Sequence, residues 1–209
     1  MTIKTKKNKV RLLAYYGILS AITIAFAFIL IPVTPGLPGI TLTIIPVAFG
    51  AICVSPICGL FLGFIFGIVS FFQCFGFSAF GTALFAINPF FTFIVCVPTR
   101  MLVGLLTGLI FKSFRVKEVK SPRYHIGTII SNVSCALLNT VLVMGTVMLL
   151  FYNSTLIQSL MTAYSTTNVF LFVVLMVGIN GLVEAVVCLS VGSILTGRLY
   201  PIVRKNLLV

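Results

Sequence analysis

The sequence predicts an all-α, polytopic membrane bundle of six transmembrane helices with both termini cytoplasmic, and three observations carry that prediction. Across 209 residues, 60% are hydrophobic and 8% charged, which is more apolar surface than a water-soluble domain can cover. Apolar runs, most of them near the ~20 residues needed to cross a bilayer, follow one another through nearly the whole chain. All but one of the 14 Lys and Arg residues gather in short segments beside those runs, as topology signals do.

Taken in order, the spans fall near 11–31, 40–55, 57–73, 83–111, 126–151 and 169–197, within a single membrane domain covering 1–209. The first follows Lys4, Lys6, Lys7, Lys9 and Arg11. It lacks a small-x-small cleavage site and is followed by further spans, so it reads as a retained helix rather than a secretory signal. Pro32, Pro35, Gly36, Pro38 and Gly39 end it and shape a rigid loop. Only Ser55 and Pro56 separate the second span from the third. The fourth is long enough to need tilting or kinking, for which Pro89 and Pro98 are the causes. With the amino terminus inside, six spans also place the 112–125 loop and the carboxyl terminus inside. Every basic residue except Arg100 then lies on the cytoplasmic side, and the outer loops at 32–39, 74–82 and 152–168 carry no formal charge.

Arg100 in the fourth span and Glu184 in the sixth are the formal charges inside the membrane. Such residues face a bundle interior or a cavity. Counting back to Lys112 and on to Arg198 at 1.5 Å per residue places them about 18 and 21 Å from the cytoplasmic flank, at one level. Asn139 reaches a similar level from the fifth span, and Gln73 closes the third near the outside. Asn132 shares a helix face with Asn139, and Asn180 shares one with Glu184. This set predicts a polar pocket in the outer half of the membrane. Arg100 offers a planar fork for a carboxylate, and the amides supply donors and acceptors. The alternative is architectural: Arg100 and Glu184 neutralise each other while the asparagines bridge helices.

Nothing in the chain points to an enzyme. Its two carboxylates are Glu118, in the basic loop, and Glu184, and its single histidine, His125, borders the membrane. No P-loop is present, so ATP hydrolysis would have to come from a partner. The six cysteines lie mostly in apolar runs without a Cys-x-x-Cys pair, which argues against a disulfide framework or a zinc site. No cofactor, metal or nucleic acid is expected. The expected partners are membrane lipid and a small molecule.

Small residues form stripes at four-residue spacing: Gly17, Ala21 and Ala25 in the first helix; Gly59, Gly63 and Gly67 in the third; Gly104 and Gly108 in the fourth. Each allows close approach of another helix. For the last two stripes the expected neighbour lies within the bundle. For the first, either the bundle or another protein fits.

Several local patterns coincide in one family. They are the basic start followed by Gly17-Ile18-Leu19-Ser20-Ala21, the run Ser55-Pro56-Ile57-Cys58-Gly59 leading to Gly63 and Gly67, Asn88-Pro89, Val97-Pro98-Thr99-Arg100, and Asn180-Gly181-Leu182-Val183-Glu184. The chain resembles the substrate-binding S components of energy-coupling factor (ECF) vitamin transporters, most closely the pantothenate type. Ser55 departs from the glycine that often precedes the proline. The resemblance implies a protein of the cell membrane that captures a vitamin outside and docks on a transmembrane T component driven by two ATPase subunits. By the same resemblance, Gly17, Ala21 and Ala25 contact the T component, and the loops after the first and third helices cover the ligand. Pantothenate has a carboxylate, two hydroxyls and an amide, which suits a pocket of Arg100, Asn139, Asn180 and Gln73 with Glu184 positioning Arg100. Another vitamin such as riboflavin, or a stand-alone proton-coupled transporter using Glu184, are the alternatives.

Overall fold

The structure, a computed structural model, describes residues 2–31, 40–114, 116, 121–163 and 181–208. Helix α1 (Thr2–Ala27) runs into a two-residue β1 (Leu30–Ile31), which pairs antiparallel with β2 (Ile40–Thr41), Ile31 opposite Ile40. Then follow α2 (Ile44–Cys53), α3 (Pro56–Gln73), α4 (Ala79–Ile87), α5 (Pro89–Ser113), α6 (Pro122–Phe151) and α7 (Thr155–Ala163). The last helical stretch comprises α8 (Leu182–Val187), a π-turn (Cys188–Gly192) and α9 (Ser193–Leu208).

Among the described residues, five helical segments are long and apolar enough to cross a membrane: Lys9–Ala27, Pro56–Gln73, Pro89–Ser113, Pro122–Phe151 and Glu184–Lys205. The expected second span, 40–55, contains the shorter apolar helix α2, 10 residues long, or about 15 Å of rise. The expected fourth span, 83–111, is two helices rather than one kinked helix. Asn88 is extended (φ −157°, ψ 106°), and its side-chain oxygen accepts from the backbone N–H groups of Phe90 and Phe91 at 3.0 and 3.2 Å. Pro89 then starts α5 and keeps its predecessor out of the helical region, so α4 must end there. Pro98 is carried inside α5 without a break. The first twelve positions expected for the sixth span, 169–180, lie outside the described residues, and the helix continues beyond 197 to Leu208.

Glycine sets how closely α3 and α5 approach. A methyl group at Gly59 or Gly104 would strike the other residue's carbonyl, and one at Gly63 would strike the Arg100 carbonyl. At Gly67 it would come within 2.7 Å of the Val97 Cα, and at Gly108 within 2.6 Å of the Pro56 Cα. The two small-residue stripes therefore meet backbone to backbone, inside the bundle as expected. Helix α1 is attached differently. Leu19, Thr23 and Ala27 are buried against the bundle, whereas Gly17, Ala21 and Ala25 are exposed on the opposite side.

The two ends of the bundle differ. At one, Phe111, Tyr124, Tyr200 and Val203 form an apolar cluster with Ile52 and Cys53, beside the basic residues Lys112, Arg123 and Arg204. At the other, Phe80, Leu84, Val95, Val143, Val147 and Phe151 pack together, with Phe91 edge-on to Phe151 at 6.0 Å.

Candidate functional site

Arg100 is placed by the rigid α3–α5 pair. Its Nη1 donates to the carbonyls of Cys96 (3.2 Å) and Val95 (3.4 Å) one turn back on its own helix. The guanidinium carbon stands 4.6 Å from the centre of the Phe66 ring on α3, a cation–π contact of the kind arginine favours. Thr99 also donates to the Val95 carbonyl, so two side chains fold onto the turn around Pro98. The Arg100 Nε is buried and has no hydrogen-bond partner among the described residues.

Across from it, Glu184 on α8 is 6% exposed. Its Oε2 accepts from Asn139 Nδ2 at 3.3 Å and from Thr140 Oγ1 at 3.4 Å, both on α6. Asn139 is 8% exposed, and its Oδ1 is buried without a partner among the described residues. The expectation that Glu184 positions Arg100 therefore meets a different arrangement. The hydrogen bonds that orient Arg100 come from its own helix, while Glu184 orients the α6 amide and hydroxyl.

These groups line one cavity of about 90 Å³, between the end of α3, the turn into α4, α4 itself, the first half of α5, α6 and α8. That is room for several water molecules. Arg100, Glu184, Asn139 and Gln73, all expected from the sequence, border it together with Thr140 and Cys96. Gln73 also ties the end of α3 to the end of α1, because its Nε2 donates to the Ala27 carbonyl at 2.6 Å. The α3–α4 turn depends on Gly76, whose φ of 129° belongs to the left-handed region that only glycine enters freely. Ser78, which caps α4 through Gly81 N at 3.3 Å, brings a hydroxyl to the cavity wall.

Asn132 lies elsewhere. It does not line the cavity; its Nδ2 donates to Thr128 O at 2.8 Å and Thr196 Oγ1 at 3.4 Å. It lies seven residues from Asn139, about 10.5 Å nearer the basic end, so sharing a helix face does not place the two asparagines in one pocket. Its role is to join α6 to α9. Asn180 lies outside the described residues.

Sequence reasoning missed Thr140, Thr92, Cys74, Cys96, Ser70 and Ser78, which also border the cavity. A signal existed for some of them. Thr92, Cys96 and Arg100 recur at four-residue spacing and so occupy one face of α5, and Ser70 lies three residues before Gln73. Cys74 and Cys96 face each other with sulfurs 3.9 Å apart, and all six cysteines are unpaired and buried. Among the described residues, no cluster of side chains is suited to hold a metal ion.

The model of one protein family, described as the ECF transporter substrate-specific component, matches residues 11–196. The chain belongs to this family. Among solved structures, ThiT from Listeria monocytogenes aligns over 95% of this chain and 98% of its own, with a TM-score of 0.63 and 15% sequence identity. At that identity the likeness is one of fold. A comparison with curated proteins returns no match. The polar cavity just described thus belongs to a chain of the ECF substrate-specific component family.

Proposed function

We propose that this chain is the vitamin-capture component of an ECF importer and that its substrate is pantothenate. One observation carries the choice. A buried guanidinium N–H on Arg100 and a buried amide oxygen on Asn139 border the same cavity, and neither has a hydrogen-bond partner among the described residues. Leaving such groups unpaired costs about 1–3 kcal/mol each, which a ligand with a carboxylate and a hydroxyl or amide N–H removes. Pantothenate carries both. In this reading Arg100 holds the carboxylate, Asn139, Thr140, Gln73 and Asn180 meet the hydroxyls and amide, and Glu184 keeps Asn139 and Thr140 in place. A cavity of about 90 Å³ is below the ~300 Å³ usual for drug-sized ligands, so capture requires the lining to open.

The membrane arrangement follows the charges. Six spans, with α2 contributing the second, place the basic end in the cytoplasm and the cavity in the outer half of the cell membrane. The exposed stripe of Gly17, Ala21 and Ala25 is the surface offered to the T component, which in turn carries the two ATPase subunits.

Mass spectrometry of small molecules that copurify with the protein, followed by thermal stabilisation with pantothenate, riboflavin and thiamine, tests the substrate. Pantothenate alone should be retained and should stabilise. Stabilisation by uncharged riboflavin or cationic thiamine, with none by pantothenate, would replace it. The buried Glu184 favours a second reading, proton-coupled transport by the chain alone. It predicts concentrative uptake into proteoliposomes without partners, where a capture component shows binding only.

A further inference from the structure

The basic end of the bundle holds a second and larger opening, about 370 Å³, between the α2–α3 corner, the last turn of α5 and α9. Its floor is apolar, with Ile52, Cys53 and Phe111, and its rim carries Lys112 and Arg204. Arg204 is held there rather than left to wander. Its Nη1 donates to the Tyr200 hydroxyl at 2.7 Å, and its guanidinium carbon stands 5.6 Å from the centre of that ring. Tyr200 is 6% exposed and stacks edge-on against Phe111 at 5.5 Å, so the cation is anchored to the apolar floor. No carboxylate lines the opening among the described residues. Of the chain's two acidic residues, set against 14 basic ones, Glu184 lines the other cavity and Glu118 lies outside the described residues.

We propose that this opening binds an anionic phospholipid, with the phosphate diester between Lys112 and Arg204 and the glycerol and upper acyl carbons on Phe111 and Ile52. Inorganic phosphate satisfies the two cations but leaves the apolar floor empty. A zwitterionic lipid covers the floor but brings a cationic headgroup toward Lys112 and Arg204. Basic pockets among membrane helices near the cytoplasmic surface suit an anionic lipid on both counts. The site shares no residue with the vitamin cavity, so it stands whether or not pantothenate is the substrate.

Native mass spectrometry on the full chain in detergent, titrated with dioleoylphosphatidylglycerol, dioleoylphosphatidylcholine or inorganic phosphate, tests this. One phosphatidylglycerol should bind saturably, about ten-fold or more tightly than phosphatidylcholine. Lys112→Gln with Arg204→Gln should weaken it about ten-fold or more, as removing two surface charges predicts. Lys112→Arg should retain it. Tyr200→Phe, which keeps the ring and both cations and removes the hydroxyl that holds Arg204, should lose several-fold. Circular dichroism establishes that each variant is folded; if the double variant is not, Arg204→Gln and Tyr200→Phe carry the test. Equal retention of the two lipids, an unchanged affinity in the folded variants, or displacement of the lipid by equimolar phosphate would each overturn the proposal.

Discussion

Replacing Arg100 by alanine should abolish the distinction between pantothenate and its alcohol, pantothenol, which carries a hydroxymethyl group in place of the carboxylate. Arg100 spends one nitrogen on the carbonyls of Val95 and Cys96, and its Nε has no partner among the described residues. The remaining donors can therefore form charge-assisted bonds to a carboxylate without breaking existing ones. Such a bond contributes about 1.5–3 kcal/mol, a factor of roughly 10 to 150 in Kd. Wild-type protein should thus prefer pantothenate over pantothenol by a ratio in that range, and Arg100→Ala should bring the ratio to within about three-fold of unity. Arg100→Lys keeps the charge but loses the fork, so an intermediate ratio is expected. Isothermal titration of both ligands against all three proteins gives the ratios directly. Because the comparison is between two ligands on one protein, a general loosening of the cavity lowers both affinities and cancels. An Arg100→Ala protein that still prefers pantothenate by the wild-type ratio would refute the assignment.

Four other substitutions separate the parts of the molecule. Gly104→Val forces a branched side chain onto the Gly59 carbonyl, an overpacking that costs about 1–3 kcal/mol, and should lower the thermal midpoint in detergent. Gly17→Ala, where none of the described residues would come within 4 Å of the added methyl, should leave that midpoint unchanged. Ala21→Leu, on the exposed face of α1, should bind the vitamin with wild-type affinity in titration yet fail to support ATP-driven uptake in cells coexpressing the T component and the ATPases. Asn132→Ala removes the hydrogen bonds to Thr128 and Thr196. It should cost about 1–2 kcal/mol of stability, seen as a lower melting temperature, while vitamin affinity stays within about two-fold.

Much of the site is legible in the sequence because a helix advances a fixed distance per residue. Arg100, Glu184 and Asn139 fall at one depth when counted from the basic flanks, and they do border one cavity. The same arithmetic separates Asn132, about 10.5 Å from Asn139 along α6, because a shared helix face says nothing of depth. The partners of Arg100 are not legible. Pairing the two formal charges is the economical guess in lipid, yet the guanidinium folds back onto the carbonyls of Val95 and Cys96 on its own helix. Thr140 and Cys74 give little signal, since such residues are common in apolar helices and pack there as small neutral groups. The glycine stripes announce close contact but not with whom. Only the fold shows that Gly59 meets Gly104 and that the α1 stripe faces outward. The Asn88-Pro89 break is visible as a motif but not as two helices, because an apolar run on both sides masks a one-residue interruption.

The two walls of the cavity are held by different kinds of contact, and that bears on how it opens. Arg100 rides on a pair of helices whose backbones touch at Gly59, Gly63, Gly67, Gly104 and Gly108. Gly63 packs against the Arg100 peptide itself, its Cβ position 2.8 Å from the Arg100 carbonyl carbon. Moving Arg100 would separate two close-packed backbones and expose their peptide groups to lipid. Glu184 sits instead on a six-residue helix that runs directly into the π-turn, and its hydrogen bonds to α6 are long, at 3.3 and 3.4 Å. A π-turn supplies slack in the backbone ladder. Parting α3 from α5 is therefore the costly way to enlarge the present cavity of about 90 Å³. In the proposed function Arg100 is thus the fixed point of recognition.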